Sequence, residues 1–96
     1  MNFNIEKIME IYGDSTADLI SENVDDIVDN LMYLKKLEFD DIEDIFERYV
    51  FIFVEEPKTF RKKVNKLINR LGEDYVSVLE ENMNIWEEML WLEMAN

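Results

Sequence analysis

The stretch PKTFRKKVNKLINRLG at residues 57–72 contains the clearest helix signal in this 96-residue chain. Pro57 suits the first turn of a helix, because the N–H group that proline lacks would have no partner there. Five apolar side chains follow at helical spacing, namely Phe60, Val64, Leu67, Ile68 and Leu71. Gly72 is the predicted stop, since glycine takes a left-handed conformation without a Cβ penalty. The sequence therefore predicts an amphipathic helix from Pro57 to Leu71.

The same stretch differs from the rest of the chain in charge. It contains six of the ten basic residues and no acid, namely Lys58, Arg61, Lys62, Lys63, Lys66 and Arg70. Outside residues 58–70, four bases stand against 23 acids, a net charge of −19, and the whole chain carries −13. Such acidity repels phosphates and anionic lipids at long range and attracts basic partners. Solubility alone is the alternative reason for it.

The composition predicts one globular domain over residues 1–96. Hydrophobic residues make up 48% of the chain, too many for a disordered protein, and two glycines with one proline disfavour a many-turned β fold. No apolar run approaches the roughly 20 residues of a membrane span, and the N-terminus lacks the pattern of a signal peptide. Without cysteine there is no disulfide framework. We therefore expect a cytoplasmic protein without membrane contact.

Apolar side chains recur at helical spacing along the rest of the chain. Further helices are predicted around residues 5–12, 17–37, 42–49, 75–83 and 85–92, and the periodicity leaves open whether a break falls near Asn23. The segment YVFIFV at residues 49–54 has strand-like composition. A single strand would have nothing to pair with, so we expect a buried helix end or a tight turn. The sequence thus predicts an all-α fold of six or seven short helices, either a helical-repeat array or a small bundle.

A short pattern occurs three times in the chain. Residues 19–24 resemble residues 78–83, and residues 45–50 share their order of apolar and polar side chains. Gly13 and Gly72 each stand seven residues before the second apolar position of their copies, and the joint Leu37-Glu38-Phe39 stands in the corresponding place of the middle copy. Recurrence at such spacing is typical of helical-repeat proteins.

The run from residue 31 to residue 72 has Tyr33-Leu34 and Leu37 near its start and Leu71-Gly72 at its end. In these places it resembles the leucine-rich joint and the closing LxxLG of a repeat of the mitochondrial transcription termination factor (mTERF) family. Two features depart from the pattern: the proline of the break is replaced by Val24, Val50 and Met83, and the joint glycine by Glu38. The resemblance implies a curved helical solenoid with a basic inner groove for duplex nucleic acid. A net charge of −13 opposes that role, since lysine and arginine supply the affinity for phosphates.

The residue inventory argues against catalysis. The chain has no histidine and no cysteine, so histidine-based triads, Cys–His dyads and the usual zinc sites are excluded. Acid-rich segments such as residues 25–29 and 40–44 are expected at solvated helix ends, and no calcium loop or phosphate-binding glycine motif is present. We therefore predict a protein without enzymatic activity, cofactor or bound metal.

The basic helix is the first candidate binding site. Lys58, Lys62, Lys66 and Arg70 recur every four residues and form a cationic ridge, with Arg61 beside it. The ridge is either a contact for phosphate or an acidic partner, or an internal counter-charge that lies against acidic neighbours. Stacking aromatic side chains, which would favour nucleic acid, are missing there.

The C-terminal segment from Ile85 to Met94 is the second candidate. Trp86 and Trp91, with Met89, Leu90 and Met94, cover more of the helix than one buried face needs. The segment is either a core helix with a frayed end or a docking surface for a partner or a second copy of the chain, because tryptophan and methionine are enriched at interfaces.

Two functions therefore follow from the sequence. The preferred one is an acidic helical interaction module that binds a protein, in particular a basic or nucleic-acid-binding protein. The module would inhibit such a protein by imitating the polyanion that the protein otherwise binds. The alternative is a small nucleic-acid-binding protein of mTERF type that uses the basic helix at residues 58–70.

Overall fold

Helices account for every regular element of the computed structural model, which describes residues 5–90. The all-α class predicted from the sequence is confirmed. The α-helices are α1 (Ile5–Tyr12), α2 (Ser15–Glu22), α3 (Val24–Lys36), α4 (Ile42–Arg48), α5 (Pro57–Leu71) and α6 (Tyr75–Glu81). Two 3₁₀ helices, Val50–Val54 and Met83–Leu90, complete the described part of the chain. None of the described helices is both long and apolar enough to cross a membrane.

The predicted bounds of α5 are confirmed at both ends. Pro57 occupies the first turn, and the Gly72 N–H donates to the Ile68 carbonyl at 2.9 Å. Gly72 has φ 86° and ψ −163°, a region that side-chain-bearing residues avoid even more strongly than the ordinary left-handed helical region. Glycine at this position is therefore a requirement of the backbone.

The segment at residues 49–54 forms a 3₁₀ helix from Val50 to Val54. Because a 3₁₀ helix has three residues per turn, Val50 and Phe53 share one face, and both are buried. Ile52 is buried as well, whereas Phe51 is half exposed. The expectation of a turn or helix end is confirmed.

Helix α3 lies at the centre of the packing. It contacts α2, α4, α5 and the first 3₁₀ helix, and Ile27, Leu31 and Leu34 lie on its buried face. Aromatic rings extend the core on either side. Phe53 packs between Phe46 and Phe60 with centroid distances of 5.7 and 5.3 Å.

One polar side chain of α3 lies inside this core. Asn30 is fully buried, and its Nδ2 donates to the carbonyl oxygens of Phe53 and Glu55, both at 2.9 Å. These carbonyls belong to the end of the first 3₁₀ helix and to the bend before α5, where no helical partner is available for them. Asn30 therefore fastens the start of α5 to α3.

Glu38 closes α3 in a conformation that glycine usually takes. Its φ is 76°, its N–H donates to the Lys35 carbonyl, and the Phe39 N–H donates to the Leu34 carbonyl at 3.2 Å. These two bonds define a Schellman motif. The sequence pattern had placed Glu38 where a glycine was expected, and the backbone has the glycine-type conformation there.

Glu38→Gly is therefore expected to stabilise the fold by about 1 kcal/mol, because the Cβ penalty at positive φ disappears. Glu80→Gly in α6 is the matched control: it removes the same charge from an exposed helical position and should cost about 1 kcal/mol. Urea unfolding of the three proteins measures both effects. A loss of stability in Glu38→Gly would contradict the assigned conformation.

Candidate interaction surfaces

The five sequence-predicted residues of α5 do not form one uniform ridge. All five are exposed. The arginines Arg61 and Arg70 lie at opposite edges of the helix, and the lysines Lys58, Lys62 and Lys66 lie on its outer face. The outer face also carries the amides of Asn65 and Asn69, which are exposed. The structure therefore divides the predicted site into a lysine–asparagine strip and two arginine edges.

Arg61 faces α3. Its Nη2 lies 3.3 Å from Asp29 Oδ1, and the guanidinium carbon lies 5.1 Å from the centre of the Tyr33 ring. A guanidinium stacks well on an aromatic face while it pairs with a carboxylate. The edge of α5 that Arg61 occupies is therefore used within the chain.

Arg70, at the other edge of α5, also pairs with an acid of its own chain. Its Nη2 lies 2.6 Å from Glu88 Oε1 in the second 3₁₀ helix. The side chains of both arginine pairs are well exposed, so each pair is worth no more than about 1 kcal/mol. The pairs nevertheless turn both arginines toward acids of their own chain, as the counter-charge hypothesis expects.

Lys63 has a role that the sequence reading missed. It is buried, and its Nζ donates to Glu55 Oε1 at 2.7 Å. Its position was visible in the sequence, since Lys63 stands three residues after Phe60 and next to Val64, on the apolar stripe. A lysine on such a stripe needs a partner to be buried, and Glu55, in the bend before α5, provides it.

An acidic groove lies at the joint between α3 and α4. It encloses about 820 Å³, and its lining combines three apolar side chains and one lysine with four carboxylates: Met32, Phe39, Ile42, Lys35, Glu38, Asp40, Asp41 and Glu43. Met32 is 45% exposed. Glu38 belongs to the Schellman turn and Asp40 to the joint, whereas Asp41 is the N-cap of α4 and Glu43 lies in its first turn, where negative charge interacts favourably with the helix dipole.

The two predicted tryptophans have different outcomes. Trp86 is fully buried and packs against Phe39 with a centroid distance of 5.4 Å. Its prediction as a partner-binding residue is wrong for this fold, because the ring fills the core. The prediction for Trp91 stays open, since residue 91 lies outside the described residues. The same holds for residues 91–94 of the C-terminal segment that was predicted to contact a second copy of the chain.

A second apolar surface lies where α1 meets the two 3₁₀ helices. Phe51 is 50% exposed and Leu90 is 49% exposed, and both line an open depression of about 320 Å³. The Phe51 ring stands edge-on to Tyr12, with centroids 5.3 Å apart. We call Tyr12, Tyr49, Phe51 and Leu90 the aromatic patch. The sequence reading took YVFIFV for buried structure and missed the outward position of Phe51.

Tyr12 connects this patch to α4. Its hydroxyl donates to the carbonyl oxygens of Glu47 and Arg48. Burial raises the pKa of Tyr12 above its ordinary value, while a backbone hydrogen bond at Val50 acts in the opposite direction. The neutral phenol is thus the form that the folded state favours.

The pH dependence follows from this direction. The stability that Tyr12 contributes is complete below the ordinary tyrosine pKa of about 10 and is lost as the pH rises through the higher pKa of the folded state. Tyr12→Phe should cost about 1 kcal/mol at neutral pH through the lost hydrogen bonds and should make the alkaline decline shallower. Urea unfolding between neutral and alkaline pH measures both. An equally steep decline in Tyr12→Phe would contradict this role.

Comparison with protein-family models, with curated proteins and with solved structures found no match to this chain. The mTERF-like spacing therefore remains a hypothesis. Within residues 5–90, no group of three or more acidic side chains is arranged to hold a metal ion.

Proposed function

We propose that this chain is a non-catalytic acidic interaction module that binds a basic protein. A basic nucleic-acid-binding protein is the partner that best suits a polyanion mimic, because the module would occupy the surface that otherwise holds phosphates. The observation that supports the proposal most is that the two arginines of α5 form ion pairs within the chain. Arg61 and Arg70 pair with Asp29 and Glu88 of the same chain, so part of the cationic helix balances internal acids.

The negative charge of the rest of the chain supports a cationic partner. Outside residues 58–70 the chain carries −19, and the acidic groove has four carboxylates against one lysine, Lys35, and partly apolar walls. A field of this sign raises the association rate with cationic proteins and is weakened by salt. A cytoplasmic location remains a prediction from the sequence.

The alternative function is nucleic-acid binding by an mTERF-like protein. Its support is the strip of exposed lysines, since Lys58, Lys62 and Lys66 lie on one outer face without an acid among them. Phosphates bind such strips without regard to base sequence. The alternative requires the lysine strip to bind phosphates although the net charge of the whole chain, −13, repels them.

One competition experiment separates the two functions. A fluorescent short DNA duplex is bound to a linker histone at low salt, and the acidic chain is added. The proposal predicts release of the duplex, with an association rate that falls by about tenfold or more as salt is raised. Lys62→Glu/Lys66→Glu should release the duplex at least as well as the parent chain.

The opposite result is equally clear. If the chain itself retards the duplex in a gel without histone, and Lys62→Glu/Lys66→Glu abolishes the retardation, the nucleic-acid function is correct and the proposed one is wrong. Lys35→Glu/Lys36→Glu is the matched control, because it makes the same charge change at the end of α3. This control variant should still retard the duplex if the strip on α5 is the binding site.

A further inference from the structure

The aromatic patch has features that core packing does not explain. Within the first 3₁₀ helix, Val50, Ile52 and Phe53 are buried, but Phe51 leaves half of its ring exposed. Leu90 faces the same depression and is also half exposed. Exposed large apolar side chains that converge on one depression mark interaction sites more often than single exposed residues do.

The patch is also rigidly supported. Phe51 packs edge-on against Tyr12, and the Tyr12 hydroxyl is held by two backbone carbonyls at the end of α4. A preformed aromatic surface loses little conformational entropy when a partner binds, and aromatic anchors contribute strongly to interfaces. The depression of about 320 Å³ has room for bulky apolar side chains of a partner.

The charges around the patch indicate what would bind there. Arg48 also lines the depression, but it pairs with Asp44 at 3.1 Å, and nearby Lys7 pairs with Glu47 at 3.0 Å, so these charges compensate one another. Glu87 lines the depression, and no ion pair joins it to a described residue. Its charge also contributes, after burial, to the raised pKa of Tyr49, whereas the charge of Arg48 lowers that pKa.

We propose that the aromatic patch is the docking surface for a basic segment of the partner protein. Bulky apolar side chains of that segment enter the depression between Phe51 and Leu90, and a lysine or arginine beside them pairs with Glu87. The inference rests on the proposed function, because it specifies where and how a basic protein binds. A second copy of this chain is a poorer occupant, since two surfaces of net charge −13 repel each other.

Two synthetic peptides test the proposal. One is lysine-rich with two leucines four residues apart, and the other has serines in place of the leucines. The full chain should bind the leucine peptide about tenfold more tightly in calorimetry, which corresponds to burying part of one or two apolar side chains. Phe51→Ser/Leu90→Ser should remove this difference and leave the serine peptide's affinity unchanged. Glu87→Gln should weaken both peptides.

The matched control is Ile11→Ser/Val24→Ser, which removes two exposed apolar side chains, 57% and 42%, that line neither the depression nor the acidic groove. It should keep the preference for the leucine peptide. A second measurement needs no variant: backbone amide shifts of the parent chain, titrated with the leucine peptide, should move at Tyr12, Phe51, Glu87 and Leu90.

The outcomes distinguish this inference from the proposed function. Equal binding of both peptides by the parent chain, or amide shifts elsewhere, would overturn the docking surface while basic-protein binding stands. No binding of either peptide at low salt would overturn both. A concentration-dependent dimer in sedimentation that Phe51→Ser abolishes would show that a second copy covers the patch, and the inference would be wrong.

Discussion

Asn30→Asp is expected to destabilise the fold by about 3–5 kcal/mol at neutral pH, the range found when a buried charge is left without a partner. The Asn30 amide nitrogen donates to the carbonyl oxygens of Phe53 and Glu55. A carboxylate of the same shape would instead place an oxygen, which can only accept, against these two carbonyl oxygens. The site has no solvent exposure, so water cannot compensate. The substitution changes charge and hydrogen bonding but hardly changes volume.

The effect should depend on pH in a defined direction. The introduced carboxyl would have a raised pKa in the folded state, because burial favours its neutral form. The lost stability is therefore regained as the pH falls through that raised pKa toward the ordinary value of about 4. Urea unfolding of the parent and variant at neutral and mildly acidic pH measures the change.

Asn69→Asp is the matched control for this substitution. Asn69 lies on the exposed outer face of α5, so the same chemical change should alter stability by no more than about 0.5 kcal/mol. A similarly small effect of Asn30→Asp would mean that α3 does not hold the bend at residues 53–55 in solution.

Trp86→Ala is the second large effect that we expect, with a cost of about 3–5 kcal/mol. Trp86 has no solvent exposure and contacts Phe39, which in turn packs against Tyr75 with a centroid distance of 6.0 Å. Removing the ring would leave a cavity between the second 3₁₀ helix, the α3–α4 joint and α6. The midpoint of urea unfolding, with the slope held in common, measures the cost.

Two further variants sharpen the test of Trp86. The indole Nε1 has no hydrogen-bond partner among the described residues, so Trp86→Phe loses volume but no hydrogen bond, and it should cost clearly less than Trp86→Ala. Phe51→Ala, in the other 3₁₀ helix, removes a half-exposed ring and should cost about 1 kcal/mol. A cost of Trp86→Ala no larger than that of Phe51→Ala would show that the second 3₁₀ helix is not part of the core.

Much of the architecture could be predicted because its causes are local. The apolar stripe of α5, its proline start and its glycine stop lie within 16 consecutive residues, and the structure has the helix at those bounds. Repeat spacing also indicated a joint at Leu37-Glu38-Phe39, and the structure has α3 end there with Glu38 at positive φ.

The candidate sites were harder to predict because their causes are distant in the chain. Trp86 was grouped with exposed interface residues, although its neighbours in the fold include Phe39, far away in sequence. Phe51 was grouped with buried residues, because composition does not reveal which side chain of a 3₁₀ turn faces outward. In both cases exposure depends on what other helices place opposite the side chain.

The amino-acid sequence alone determined the helical class, the bounds of α5 and the separation of one cationic segment from an acidic chain, because periodicity, helix stops and net charge are properties of neighbouring residues. Only the tertiary structure decided that Arg61 meets Asp29, that Arg70 meets Glu88 and that Asn30 holds the start of α5. These contacts join residues 18 to 32 positions apart. Helical periodicity sets the direction of a side chain from its own helix, but the packing of the helices sets which group it meets.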